Sequence, residues 1–256
     1  MDTVIIFDVG NTQIKAGVYR GPELIHFWRI ATRRSMFPEE LWIAIDRLFQ
    51  QNGFDRKRLD GAVISSVVPT LTRAIQEVCQ EKLGIRTLVV GPGIKTGMKI
   101  VTDQPAQTGS DRIASAIGAI KRYGTPVIVV CMGTATAISV IDDKKQFVGG
   151  AILPGASISA DALFRGAAQS PPVNITSPER RITHDTSSSI IYGIVNGVAG
   201  QVDGIVTRIK EEYRLPFTVV ACGGLSELIS PESQTIQHAV PDLVLEGAQI
   251  LWELNR

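Results

Sequence analysis

Val4-Ile5-Ile6-Phe7-Asp8-Val9-Gly10-Asn11-Thr12 decides the reading of this chain, because its pattern returns at Val127-Ile128-Val129-Val130-Cys131-Met132-Gly133-Thr134. In each, a short β-branched apolar run stops at a glycine-centred turn that bears hydroxyl or amide side chains. Such a run predicts a buried strand, and the polar glycine turn predicts a tight reversal. Downstream of the first copy, Ile14 to Tyr19 and Leu24 to Ile30 extend a strand meander. Apolar residues at Leu41, Ile43, Ile45, Leu48 and Phe49 predict a helix over Pro38 to Gln51, with Pro38 suited to its first turn. A strand over Ala62 to Val68, a helix over Leu71 to Leu83 stopped by Gly84, and a strand over Thr87 to Val90 follow.

The second copy sits in a similar context. A helix over Ile113 to Arg122 precedes it, and strands at Ala135 to Ile141 and Phe147 to Leu153 follow. Then come a helix around Ser159 to Ala168, a long helix over Ile190 to Tyr213, a strand over Thr218 to Ala221 and a closing helix over Pro241 to Leu254. Gly193, Gly197, Gly200 and Gly204 along the long helix are expected to permit close helix packing, at about 0.8–1 kcal/mol of lost propensity each. A meander followed by helix–strand alternation, met twice, implies an α/β chain of two duplicated domains facing each other across a cleft. The Gly- and Pro-rich stretch Gly91 to Gly109 places the boundary, giving domains 1–108 and 109–256, with the closing helix free to pack back on the first.

Composition narrows the function. The chain has 256 residues, 26 Lys and Arg against 25 Asp and Glu, and 44% hydrophobic residues, which excludes disorder and argues against nucleic-acid binding. The pairs Arg33-Arg34 and Arg180-Arg181 are too short to suggest a partner and read as solvated surface. Cys79, Cys131 and Cys222 lack C-x-x-C spacing, so neither a disulfide framework nor a zinc site is expected, and the expected compartment is the reducing cytoplasm. The N-terminus enters a strand at once, without the basic and small-residue marks of a signal peptide. Gly124 to Ile141, the longest uncharged stretch, is broken by Gly133 and reads as two strands around a turn, so no membrane association is expected. His26, His184 and His238 have no partners at ligand spacing.

The chemistry concentrates in the turns. Gly10 and Gly133 let backbone N–H groups converge on an anion, and Asn11, Thr12 and Thr134 add donors. Asp8 offers an oxygen ligand to Mg²⁺. The alternative for Asp8 to Thr12 is an ordinary hairpin turn. No Gly-Lys dipeptide, H-R-D, D-F-G, G-x-S-x-G or H-E-x-x-H occurs, which excludes a Walker A loop, a protein kinase and the commonest hydrolase signatures. Ser110 or Asp111 suits a helix N-cap. Alternatively, Asp111 could take a proton from a substrate hydroxyl while Arg112 binds an anionic group. Gly223-Gly224 could underlie an adenine or ribose, or simply open a helix.

Taken in order, Asp8-Val-Gly-Asn-Thr12, Ser65-Ser-Val-Val-Pro69, Gly91-Pro-Gly-Ile-Lys-Thr-Gly97, Gly109-Ser-Asp-Arg112, Gly133-Thr-Ala-Thr136, Gly149-Gly-Ala-Ile-Leu-Pro-Gly155, Cys222-Gly-Gly-Leu225 and Pro241-Asp-Leu-Val-Leu-Glu-Gly247 span nearly the whole chain. The set resembles the type III pantothenate kinases of the acetate-and-sugar-kinase, Hsc70 and actin superfamily. The resemblance implies two actin-like (ribonuclease H-like) domains, a homodimer, ATP with Mg²⁺, and phosphorylation of pantothenate to 4'-phosphopantothenate at the start of coenzyme A synthesis. By position it implies a phosphate loop of Asp8, Val9, Gly10, Asn11, Thr12, Gln13, Ile14 and Lys15, with Thr134 also on ATP phosphate. Gly109, Ser110, Asp111 and Arg112 would meet pantothenate, with Asp111 as general base and Thr183, preferred over Thr186, also on substrate.

Two positions depart from the family pattern. Cys131 stands where an Asp normally holds a monovalent cation, and a thiol is a poor ligand for K⁺, so dependence on K⁺ or NH₄⁺ is expected to be lost. Asp142 and Asp143 lie too far along the return strand to replace that Asp. Thr102 stands where the family usually has Tyr. These departures frame two alternatives: an impaired nucleotide-binding paralogue with a regulatory role, and a kinase for a related small hydroxy acid.

Overall fold

The structure, a computed structural model, describes residues 1–166, 171–179 and 181–256. Arg180, and Ala167 and Ala168 at the end of the helix expected around Ser159, lie outside the described residues. The chain forms two compact units. The first comprises Met1–Gly97, Gln104–Gly118 and Val244–Arg256, and the second Met98–Asp103 and Ala119–Leu243. A single cut after residue 108 does not describe this division, because the chain passes between the units more than once. Residues 99–100 pair with the second sheet, whereas the helix opened by Ser110 is fastened at its start to the first.

In the first unit, β1 (Thr3–Val9), β2 (Gln13–Arg20) and β3 (Glu23–Ala31) form the expected meander. Helix α1 (Pro38–Gln51), β4 (Gly61–Ser66), α2 (Pro69–Glu77) and β5 (Arg86–Val89) complete the alternation. The sheet order is β3-β2-β1-β4-β5, with β1 antiparallel to β2 and parallel to β4. A central strand is covered on both faces, so β1 reads as a continuous apolar run instead of alternating. Ile5, Phe7 and Val9 pack with Leu41, Ile45 and Phe49 of α1 and with Leu71 and Ile75 of α2. Each such fully buried side chain contributes about 1.5–3 kcal/mol of transfer free energy. Glu40 Oε2 accepts the Phe37 N–H at 2.9 Å and closes the start of α1. The helix expected over Leu71 to Leu83 is in fact α2 followed by a wider π-helical turn, Val78–Leu83, which keeps Val78 and Cys79 on the core and ends at Gly84 with φ of 66°.

After β6 (Lys99–Ile100), α3 (Ser110–Tyr123) leads from the first unit into the second. There β7 (Val127–Met132), β8 (Ala135–Ile141) and β9 (Gln146–Pro154) form another meander. Helices α4 (Ala156–Gly166) and α5 (Thr186–Tyr213), strand β10 (Thr218–Cys222), the short α6 (Ser226–Ile229) and β11 (His238–Ala239) follow. The order is β11-β10-β7-β8-β9-β6. Strand β7 is antiparallel to β8 and parallel to β10, the relation β1 has to β2 and β4.

By length and composition α5 could cross a bilayer. Its Ile194, Val195, Val198, Ala199, Val202 and Val206 are instead buried against Ile128, Val130 and Met132 of β7. Among the described residues, a Cβ at Gly193, Gly197 or Gly200 would meet nothing within 4 Å, and all three are exposed, so these glycines are not there for close packing; one at Gly204 would lie 3.3 Å from Arg208 Nη1 of the same helix. Asp203, on the same helix, accepts hydrogen bonds from Ser233 Oγ, Gln234 N, Thr235 N and Thr235 Oγ1 at 2.5–3.0 Å and fixes the loop before β11.

Helix α7 (Leu243–Asn255) belongs to the first unit from Val244 onward. It starts later than Pro241, whose carbonyl accepts Gly223 N at 3.1 Å. Trp252 lies so close to Gly61 that any Cβ there would overlap its ring. The Arg86 guanidinium stacks 4.4 Å from the Trp252 ring centre, and Trp252 Nε1 donates to Asp2 Oδ2 at 3.1 Å.

Candidate active site

In the first unit, the functional side chains gather at the carboxyl ends of β1 and β4, where ligands of open α/β sheets bind. Gly10 N donates to Gln13 O at 3.0 Å and makes the β1–β2 turn. Thr32 Oγ1 ties down the Gly10 carbonyl at 2.8 Å. Asn11 and Thr12 stand exposed at the tip. Sheet register places Asp8 opposite Lys15 on β2 and opposite Ser65 on β4. Paired residues on adjacent strands project to the same face, so a carboxylate, an ammonium and a hydroxyl form one row. Lys15 is buried and Asp8 half-buried. Val9 and Ile14, also at this turn, are wholly in the core and can offer only their backbone.

Ser110 joins α3 to this row. Its Oγ accepts from Ser66 N at 2.8 Å and from Ser65 Oγ at 3.3 Å, and donates to Ser66 O at 3.1 Å. The hydroxyl is therefore spent on β4 and does not cap α3. The first intrahelical bond runs from Ile113 N to Gly109 O at 3.0 Å. Asp111 and Arg112 occupy the second and third helical positions, both half-buried. The helix dipole favours a carboxylate in that first turn. Asp111 Oδ1 folds back to 2.7 Å from where a side chain on Gly109 would begin.

Arg34 is exposed, as expected of solvated surface, yet it is tied to the hairpin tip. Its Nη2 donates to Asn11 Oδ1 at 2.8 Å, and Thr70 Oγ1 holds the Arg34 carbonyl at 3.0 Å. A guanidinium is thereby held at the tip of the β1–β2 hairpin. No local signal reveals this, because the contact spans 23 residues.

In the second unit, Gly133 N donates to Ala135 O at 3.0 Å and makes the β7–β8 turn. Thr134 is half-buried, and its carbonyl accepts Gly155 N at 3.2 Å. Gly155 and Gly223 permit close approach: a Cβ on Gly155 would overlap the Thr134 carbonyl, and one on Gly223 the Met132 carbonyl. Gly223 has φ of 96°, a left-handed conformation suited to glycine. Cys131 is paired in register with Cys222 on β10, and Cys131 Sγ lies 2.9 Å from Cys222 Sγ. Asp142 lies at the opposite end of β8 and is occupied with Lys144 N and Gln146 N at 3.0 and 2.8 Å.

Thr183 and Thr186 separate geometrically. Thr183 lines a pocket of about 250 Å³ with Thr176, Pro178, Glu179, Asp185 and Ile191. Its Oγ1 lies 2.6 Å from Ser189 Oγ. Thr186 is exposed as the first residue of α5, which Asp185 caps by accepting Ser188 N at 2.9 Å. Those hydrogen bonds from Ser188 hold the Asp185 carboxyl below its ordinary value. The Thr102 hydroxyl is buried and has no hydrogen-bond partner among the described residues.

Among the described residues, no three His, Cys, Asp or Glu side chains converge as a metal site. Mg²⁺ is usually held by one or two carboxylates and the substrate's own phosphates, and Asp8 is a half-buried carboxylate at the end of β1. Cys131 does not fit a K⁺ site, because two sulfurs stand there in place of oxygen.

Comparison with known proteins identifies the family and the fold. The family model for type III pantothenate kinase matches residues 4–208. The type III pantothenate kinase of Geobacillus sp. (strain WCH70) is 44% identical over 252 residues, covering 98% of each chain. In fold, the chain is similar to the activator of the 2-hydroxyisocaproyl-CoA dehydratase from Clostridium difficile with bound ADPNP, at TM-score 0.58 and 13% identity over 98% of this chain and 93% of that one. It is also similar to MreB 5 of Spiroplasma citri bound to AMPPNP, at TM-score 0.55 and 12% identity over 99% and 96%. The two meander-bearing units thus have the actin-like fold, and the chain belongs to the type III pantothenate kinase family.

Proposed function

We propose that this protein transfers the γ-phosphoryl group of ATP to the terminal hydroxyl of pantothenate, with Asp111 as the general base. Family membership supports the reaction. The observation that carries the residue assignment is the Ser110 hydroxyl, which fastens the start of α3 to Ser65 and Ser66 and so sets Asp111 at the sheet end that bears Asp8.

Phosphoryl transfer has a loose transition state, so positioning and charge neutralisation dominate. The N–H groups of Asn11 and Thr12 at the tip of the turn, the Lys15 ammonium and Thr134 are assigned to the ATP phosphates. Arg34, held on Asn11, adds a positive charge at the same hairpin. Asp8 would hold Mg²⁺, which supplies charge neutralisation between the phosphates when bound. Asp111 accepts the proton of the attacking hydroxyl, Arg112 pairs with the pantothenate carboxylate, and Gly109, Ser110 and Thr183 shape the remainder of the substrate site. No monovalent cation enters this reading. A homodimer does, supported by the apolar Ile158, Leu163 and Phe164 exposed on α4.

The test is ADP release by the purified protein with ATP, Mg²⁺ and pantothenate, with and without K⁺. Pantothenate-dependent turnover that is indifferent to K⁺ is expected. Absence of turnover under both conditions would overturn the assignment in favour of a nucleotide-binding paralogue. Turnover only with another hydroxy acid would move the substrate.

A further inference from the structure

We propose that Cys131 and Cys222 are a reversible dithiol–disulfide modification site, closed by small disulfides of the glutathione class and opened by small thiols. The phosphoryl-transfer reading does not use either sulfur, and the covalent step is independent of it.

The two residues are partners on adjacent parallel strands, β7 and β10. Such strands lie about 4.8 Å apart, inside the about 4.4–6.8 Å Cα range that a disulfide spans. Their side chains project from the same face, and the sulfurs are 2.9 Å apart. That is closer than the about 3.5–4.0 Å of ordinary non-bonded contact and longer than the about 2.05 Å of a covalent bond. No strand has to slip for the bond to form. Cys131 is half-buried and Cys222 fully buried, which assigns them an order of reaction. Cys79, the remaining cysteine, sits in the first unit's core, where burial pushes its thiol up to about 12 and keeps it protonated and unreactive.

The chemistry balances with one small disulfide. The Cys131 thiolate attacks it, forming a mixed disulfide and releasing one small thiol. The Cys222 thiolate then attacks Cys131 Sγ and expels the second small thiol. The two protons lost by the cysteines end on the two released thiols, and the protein dithiol is oxidised as the small disulfide is reduced.

The position gives the modification a consequence. Cys131 is two residues before Gly133, and Cys222 is immediately before Gly223, whose backbone touches that of Met132 with no room for a Cβ. Drawing the sulfurs together therefore bears on both turns at once, including the one assigned to ATP phosphate.

The test treats the full chain with oxidised glutathione, quenches with acid, unfolds it and alkylates the remaining thiols. The expected result is one alkylated cysteine of three, Cys79, a Cys131–Cys222 cross-linked peptide within one chain, and recovery of all three thiols with dithiothreitol. Cys222→Ala should stop at glutathione on Cys131, and Cys131→Ser should form no disulfide; the wild-type peptide map decides the matter if either variant fails to fold. Three reactive thiols after treatment, a stable glutathione adduct on wild-type Cys131, or a cross-link between chains would each overturn the site. In the kinase assay, closing the bond should raise the ATP KM about fivefold or more, reversed on reduction. A closed bond with unchanged KM would overturn the coupling. Reduced protein that lacks turnover altogether would instead count against the kinase assignment.

Discussion

The β1–β2 and β7–β8 hairpins are the same device with different chemistry. Each is an antiparallel pair with a third strand parallel to its first member, and each turns on a glycine. Two residues before that glycine stand Asp8 in one and Cys131 in the other. Asp8 faces Lys15 and Ser65 across its sheet, whereas Cys131 faces Ala137 and Cys222. The first copy is a charged row and the second a neutral, thiol-bearing one. A repeated backbone thus carries a glycine turn twice while its charged side chains are concentrated in one unit. The helix fastened beside the charged copy carries Asp111.

The strongest way to break this asymmetry is Asp111→Ala, which should lower kcat by about two to four orders of magnitude. Steady-state kinetics beside a thermal melt checks it; an unchanged rate with an intact fold would reduce Asp111 to a first-turn charge. Next, Asp8→Asn keeps the shape of the charged copy and removes its anion, and kcat should fall by about 10²–10³-fold. Titrating Mg²⁺ in that variant should show weaker activation than in the wild type. The reciprocal change, Cys131→Asp, makes the second copy resemble the first. It should create K⁺ activation, read as turnover against KCl at constant ionic strength, beyond any shown by the wild type in the same titration.

Smaller effects concern how each copy is held. Ser110→Ala leaves the Ser66 N–H and carbonyl without their partner and should cost about 1–3 kcal/mol in urea unfolding. Its kcat should fall as well, because Asp111 loses its anchor. In the second unit, burial acts to raise the pKa of Asp203, but hydrogen bonds from Gln234, Ser233 and Thr235 outweigh it and hold the carboxyl below its ordinary 3.8. A depressed folded pKa means that the stabilisation is present above the unfolded value and is lost as pH falls through the folded one. Asp203→Asn should therefore lower stability near neutrality and flatten that part of the acid dependence, as read from melts between pH 2 and about pH 6.

Legibility in the sequence follows the range of the interactions. The strands of both meanders and α1 were readable because local periodicity and the Gly and Pro stops determine them. Asp8, Gly10 and Gly133 were readable as turn chemistry. The Arg34–Asn11 contact was not, since it joins residues 23 apart on different elements. Ser110 has the composition of a cap, yet Ser66 N–H and C=O, 44 residues earlier, claim its hydroxyl. The thiol pair was invisible for the same reason: 91 residues separate two cysteines that sheet register makes neighbours. The interleaved division of the units also escaped a linear reading, because α3 and α7 take their partners from the beginning of the chain.

The α5 glycines give the smallest expected effect. Four small residues along one helix suggest intimate packing, but Gly200 is exposed and a Cβ there meets nothing. Its backbone is helical, so alanine suits it, and the glycine only adds freedom to the unfolded chain. Gly200→Ala should therefore stabilise the protein by about 0.8–1 kcal/mol in urea unfolding, with kinase activity unchanged. If the variant is destabilised instead, that side of α5 is covered in solution by something the isolated chain does not provide. Size-exclusion chromatography of wild type and variant side by side would then show whether a second copy is what covers it.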